Sequence, residues 1–272
     1  MIKLIALDLD DTLLDKNKNI SYRNLQAIKE VLDKKIKIII ATGRPYFRVK
    51  PILEKLNILD DRNYEITFNG GSITNANHTT TYYEKTINNQ KLKKISEAAR
   101  KLDVCFNVYY HNQIYTSKIE PSILGLPVYQ GIQFSYLSED QIDTLVAAHK
   151  VIFADKEEKI KSIKQLVLHE LQNDFSIVQS TPHFLEILPM HISKGEALKN
   201  LCMKLEIKPE EVMSIGDAEN DVSMFDYAEI CVAMGNAVSA LKEKATFITK
   251  TCEEDGVAYA ISTLLREEQN VE

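Results

Sequence analysis

Four apolar stretches of this chain each run straight into polar residues capable of chemistry, and that pattern constrains the fold more than any other feature. Lys3–Asp10 is almost continuously apolar until Asp8-Leu9-Asp10-Asp11-Thr12. Ile36–Ala41 ends in Thr42-Gly43-Arg44-Pro45, Tyr64–Phe68 in Asn69-Gly70-Gly71, and Glu211–Ile215 in Gly216-Asp217. Short, continuously apolar runs read as strands buried on both faces. Between the first three lie helical patterns. Ser21–Lys34 places Leu25, Ile28, Val31 and Leu32 on one stripe. Pro45 suits the first turn of a helix carrying Val49, Ile52, Leu53 and Leu56. Strand, helix, strand, helix, strand predicts a parallel sheet.

The texture changes near Thr81. Tyr82–Thr86, Val104–Tyr110, Gln113–Thr116, Lys150–Ala154, Phe175–Ser180 and Phe184–Leu188 read as strands, several in adjacent pairs. Asn88–Leu102 and Ile160–Leu171 read as helices, and an irregular stretch holds Pro121, Gly125, Pro127 and Gly131. This grouping predicts an α+β unit on an antiparallel sheet. The βα alternation then returns. Ser193-Lys194-Gly195-Glu196 fits a capping box opening a helix with Ala197, Leu198, Leu201, Cys202 and Leu205 on one stripe. Short strands at Ile230–Met234 and Thr246–Thr249, a last helix at Gly256–Leu265 and a frayed acidic tail from Arg266 complete the pattern. The expected organisation is an α/β core built from residues 1–80 and 190–272, with an inserted α+β domain at 81–189.

Composition narrows the function. The 272 residues are 44% hydrophobic and 26% charged, with a net charge of −6, which suits a globular protein and argues against a nucleic-acid partner. No apolar run approaches the length of a membrane span, and Asp8 comes too early for a signal peptide. Cys105, Cys202, Cys231 and Cys252 show no paired metal-ligand spacing and read as reduced core thiols. A cytoplasmic location is the expectation.

In open α/β sheets ligands bind beyond the carboxyl ends of the strands, where Asp8, Asp10, Thr42 and Asp217 are expected. Carboxylates gathered there repel one another unless a cation joins them, and an all-oxygen set favours a hard ion, Mg²⁺ above Ca²⁺ or Zn²⁺. Thr42 and the Gly43 amide suit phosphate oxygens, and Lys194 sits at a helix N-terminus that already favours an anion. Asp8 could then attack phosphorus, while Asp10 protonates the leaving oxygen and later activates water.

Asp8-Leu9-Asp10-Asp11-Thr12-Leu13, Ala41-Thr42-Gly43-Arg44, Ser193-Lys194-Gly195 and Gly216-Asp217-Ala218-Glu219-Asn220-Asp221 resemble, in order, the four motifs of the haloacid dehalogenase superfamily. The second motif has the form found in its Cof-like sugar-phosphatase subgroup (subclass IIB). Phe68-Asn69-Gly70-Gly71 is similar to the segment that precedes the large cap there. The resemblance implies a Rossmann-like core with an inserted cap that closes over the substrate and sets its identity. It implies Asp8 as nucleophile and metal ligand, and Asp10 as general acid/base with its carbonyl on the metal. Thr42, Gly43 and Lys194 would hold phosphate, and Asp217 would bind Mg²⁺. Asn220, Asp221, Asn69 and Arg44 would support the site. Asp11 stands where many members carry Gly.

Each residue also has a plainer use: strand-end acids in solvent, Thr42 as a helix cap, Asp221 as a first-turn acid, Arg44 facing solvent. The expected function is a Mg²⁺-dependent phosphatase acting on a small phosphorylated metabolite, such as a sugar phosphate. The alternatives are a phosphosugar mutase using the same aspartyl phosphate and a phospho-acceptor signalling module.

Overall fold

The computed structural model describes residues 1–119 and 132–269, so the Pro- and Gly-containing stretch at 121–131 and the last three residues lie outside it. The described chain forms two compact units, Met1–Glu84 with Ser193–Glu272, and Lys85–Ile192.

The first unit opens with β1 (Leu4–Leu7), α1 (Tyr22–Asp33), β2 (Lys37–Ala41), α2 (Tyr46–Lys55) and β3 (Tyr64–Thr67). The Ser21 hydroxyl accepts from the Asn24 amide and starts α1, satisfying one of the donors a helix leaves open. Two further strands follow, β4 (Ser72–Asn75) and β5 (Thr81–Glu84). The sequence pattern missed β4, because Ser-Ile-Thr-Asn lacks an apolar run. Its polar residues are nonetheless buried, and it pairs antiparallel with both β3 and β5.

The second unit holds β6 (Ile87–Asn88), α3 (Asn89–Lys101), β7 (Cys105–Tyr110), β8 (Gln113–Thr116), β9 (Phe134–Tyr136), β10 (Ala147–Ala148), β11 (Lys150–Ala154), α4 (Glu157–Leu171), β12 (Phe175–Thr181) and β13 (Phe184–Pro189). Its main sheet runs β12-β13-β11-β7-β8-β9. The pairing is antiparallel except between β8 and β9, which are parallel. This corrects the wholly antiparallel expectation; β9 had no periodic signature in its three residues. Alternation along β7 sends Phe106 and Val108 into a core shared with Ile95 of α3 and Ile163 and Val167 of α4. Asn107 takes the intervening position, as the two-residue strand period requires.

The first unit resumes with α5 (Lys194–Leu205), β14 (Val212–Gly216), α6 (Val222–Phe225), β15 (Ile230–Ala233), α7 (Ser239–Lys244), β16 (Phe247–Ile248) and α8 (Gly256–Gln269). The helix continues where a frayed tail was expected. Leu264 and Leu265 are buried, and the following Arg-Glu-Glu-Gln are good helix formers that extend it. The eight-stranded sheet has the order β16-β15-β14-β1-β2-β3-β4-β5. β16 through β3 are parallel neighbours, so the ends of β14, β1, β2 and β3 open onto one edge. One buried apolar cluster, from Ile2 to Leu265, lies around this sheet. The four cysteines are buried and unpaired with one another. Among the described residues no helix is long and apolar enough to cross a membrane.

Candidate active site

Four strand ends and one helix start meet at this edge. The β-ladder continues one step past β1, where the Asp8 amide donates to the Ile215 carbonyl at 3.1 Å. That bond fixes Asp8 beside the segment leading to Asp217. Lys194, the first residue of α5, is only 1% exposed. Its Nζ donates to Asp8 Oδ1 at 2.6 Å and to Asp221 Oδ1 at 2.7 Å. α5 is anchored by Ser193, whose hydroxyl accepts from the Glu196 amide at 3.1 Å. Gly195 lets the helix approach α6: a Cβ there would lie 1.8 Å from the Ser223 carbonyl oxygen.

Asp221 is not a solvated first-turn acid. It is buried, and its Oδ2 accepts from the backbone amides of Asp217 and Ala218 at 3.0 Å each. One carboxylate thus grips Lys194 with one oxygen and shapes the Asp217 loop with the other. Asp217 Oδ1 accepts from the Thr12 hydroxyl at 2.8 Å.

Electrostatics follow from this crowding. Burial pushes the Asp8 carboxyl upward and Lys194 pulls it back, while Asp221 and Asp217 add to the rise. Burial likewise lifts Asp217 to about 6; Thr12 opposes this, and the charges of Asp221 and Asp11 reinforce it. Burial alone would lower Lys194, but Asp221 and Asp8 outweigh it and hold the ammonium charged. One ammonium among three acids leaves excess negative charge in a place poor in water.

The donor set fits a hard divalent cation. Carboxylate oxygens of Asp8, Asp217 and Asp221 lie within 4.8 Å of one another. Lys194 and Thr12 engage Oδ1 of Asp8 and of Asp217, leaving an oxygen on each for a metal. Among the described residues this group includes no Asp10 carboxylate oxygen; the motif resemblance assigned the Asp10 backbone carbonyl to the metal.

Asp10 faces other partners. Arg44 holds it with a two-pronged contact, Nε to Oδ2 at 2.7 Å and Nη2 to Oδ1 at 2.6 Å, and Lys18 Nζ lies 3.0 Å from Oδ1. Burial opposes its charge, yet Arg44 and Lys18 bring it down to about 2.

At the end of β2, Thr42 is 1% exposed. Its hydroxyl accepts from the Arg44 amide at 3.2 Å, while α2 begins only after Pro45, so Thr42 does not cap that helix. After β3 the chain turns through three left-handed residues, Phe68 (φ 52), Asn69 (φ 57) and Gly70 (φ 98). Only glycine fits the third, since a Cβ would meet the Ser193 carbonyl oxygen at 2.2 Å. The turn carries Asn69 to Asn220, whose Nδ2 donates to Asn69 Oδ1 at 2.9 Å. It also sets Asn69 beside Gly43, where a Cβ would stand 3.0 Å from Oδ1. All ten residues singled out in the sequence therefore lie in the first unit, around the ends of β14, β1, β2 and β3 and the start of α5. Sequence reasoning missed Thr12 and Lys18. Thr12 lay inside the first motif, but its partner is 205 residues away; Lys18 carried no signal at all.

The family profile of haloacid dehalogenase-like hydrolases matches residues 5–261. The chain belongs to that family. It is 33% identical to 5-amino-6-(5-phospho-D-ribitylamino)uracil phosphatase YwtE of Bacillus subtilis, with 97% of this chain and 98% of the relative covered. A crystal structure of a haloacid dehalogenase-like hydrolase from Bacteroides thetaiotaomicron superposes with a TM-score of 0.90 at 30% identity, covering 97% of this chain and all (100%) of the other. A solved sugar phosphatase of subclass IIB shares the fold, with a TM-score of 0.82 at 24% identity, covering 96% and 98%. These full-length matches to hydrolases lend no support to the signalling-module alternative.

Proposed function

We propose that this hydrolase is a Mg²⁺-dependent phosphomonoesterase that cleaves a small phosphorylated metabolite through an aspartyl phosphate on Asp8. The observation that carries the reading is Lys194, clasped between Asp8 and Asp221 at the edge where four strands end. Asp8 attacks phosphorus as the ester oxygen departs, and Asp10, which Arg44 and Lys18 hold as a carboxylate in the free enzyme, takes up a proton as substrate binds and passes it to that oxygen. Water then attacks phosphorus, Asp10 takes up its proton, and the bond to Asp8 breaks to release orthophosphate. Thr42, the Gly43 amide and Lys194 hold the phosphoryl oxygens and offset the charge that builds there. Asp8, Asp217 and the Asp10 carbonyl would hold Mg²⁺, which supplies Lewis-acid neutralisation of the nucleophile and the phosphoryl group.

A relative whose name places the phosphate on a ribityl chain supports a sugar or sugar-alcohol phosphate. The inserted unit, at residues 81–189 by sequence pattern, is the part we assign to substrate choice.

The test is orthophosphate release over a panel of phosphorylated sugars, sugar alcohols, nucleotides and cofactors with Mg²⁺, using Asp8→Asn as the blank. Release above the blank, abolished by EDTA, is expected. Isomer interconversion without net release would replace the phosphatase with a mutase, and no difference from the blank would end the reading.

A further inference from the structure

We propose that Arg44 is the positioning residue for Asp10, fixing the plane of its carboxylate and leaving a lone pair of Oδ2 open to take the proton of the water that resolves the aspartyl phosphate. This rests on the phosphatase reading above.

Three observations carry it. First, the contact is a fork rather than a point: Nε and Nη2 of Arg44 take the two oxygens of Asp10 separately, at 2.7 and 2.6 Å. Two parallel bonds fix the plane of a carboxylate, which a single ammonium does not. Second, the loading is uneven. Oδ1 receives Arg44 Nη2 and also Lys18 Nζ at 3.0 Å, whereas among the described residues Oδ2 receives only Arg44 Nε. Each carboxylate oxygen has two lone-pair directions, so Oδ2 keeps one for a water molecule.

Third, Arg44 is itself braced by the phosphate-binding end of β2. Its amide donates to Thr42 Oγ1 at 3.2 Å, and its carbonyl accepts from the Phe68 amide at 3.2 Å. The Arg44 backbone is thus fixed beside Thr42, which we assign to phosphate, and from there its guanidinium reaches the residue that handles protons. An ion pair that merely tied the segment after β1 to the turn before α2 would need neither the fork nor this brace.

Holding Asp10 as a free, oriented carboxylate serves the second half-reaction. Water adds to phosphorus, its proton passes to Asp10 Oδ2, and the P–O bond to Asp8 breaks with the electron pair returning to Asp8. The first half-reaction on an aryl phosphate needs no such help, because nitrophenolate leaves without a proton.

The experiment is rapid-mix kinetics of the full-length enzyme with Mg²⁺ and 4-nitrophenyl phosphate, comparing wild type, Arg44→Ala and Arg44→Lys. For Arg44→Ala we expect a nitrophenolate burst of about one equivalent, followed by a steady state slowed about 10- to 100-fold, within the range that general-base catalysis supplies. Acid-quenched enzyme should then hold more phosphate than wild type. Arg44→Lys should fall between, since it keeps the charge and loses the fork.

A structural role would shrink the active fraction, burst and steady state together; that result, a raised KM at unchanged kcat, or wild-type kinetics would each overturn the proposal. Asp8→Asn turning over at the wild-type rate would overturn the phosphatase reading itself, whatever Arg44 does.

Discussion

Thr12 and Asp217 are joined by a 2.8 Å hydrogen bond across 205 residues of sequence, and Thr12 is fully buried. The hydroxyl holds the one Asp217 oxygen that a cation would not need and so orients the other. Partners behind a metal ligand of this kind change affinity about 10- to 100-fold when removed. Thr12→Val should weaken Mg²⁺ binding by that order, read by isothermal titration. Thr12→Ser should bind as wild type does. Equal affinities for Thr12→Val and wild type would show that the bond does not orient Asp217.

Lys194→Ala should do more than weaken phosphate binding. It strands the carboxylates of Asp8 and Asp221, both buried, and breaking a buried pair from one side costs about 3–5 kcal/mol. The variant should therefore melt well below wild type. Lys194→Ala combined with Asp8→Asn should recover part of the loss, because one of the stranded charges is then gone. A melting temperature equal to wild type for Lys194→Ala would contradict the clasp.

Gly195→Ala tests the packing that delivers Lys194. The new methyl would sit 1.8 Å from the Ser223 carbonyl oxygen, and backbone cannot yield as a side-chain tip can. Overpacking of this kind costs about 1–3 kcal/mol. Since α5 must retreat, binding of orthophosphate should fall as well, measured by protection against thermal unfolding. Loss of stability with phosphate protection intact would separate the helix contact from the site.

The core strands and the catalytic edge were legible because buried parallel strands leave continuous apolar runs. A polar residue closing such a run is conspicuous, as at Asp8, Thr42 and Asp217. Asp11 has a φ of 60, a region where glycine is at ease, which gives a physical reason for the glycine that the motif resemblance leads one to expect there. What stayed hidden was pairing across distance. Nothing local says that Arg44 takes Asp10 or that Thr12 takes Asp217, because spacing along the chain fixes only neighbours on one element. β4 stayed hidden because its buried polar residues, Thr74 among them, serve another buried polar group, Glu65.

Glu65 itself gives the last prediction. It lies fully buried on β3. Oε1 accepts from the Thr74 hydroxyl at 3.0 Å and lies 3.9 Å from His78 Nε2, and Oε2 has no hydrogen-bond partner among the described residues. Burial raises its carboxyl to about 8 from an ordinary 4.5, with Thr74 only partly opposing. Between these two values the folded chain binds a proton that the unfolded chain has released. Stability must therefore fall as pH rises from 4.5 towards 8 and level off above it. The full fall from this one group is on the order of 3–5 kcal/mol. Glu65→Gln keeps the shape and removes the titration. Urea midpoints measured from pH 5.5 to 8.5 should converge at the acid end and separate in favour of Glu65→Gln at the alkaline end. Two curves that stay parallel would mean that Glu65 is ionised throughout and that its neighbours, not a proton, carry its charge.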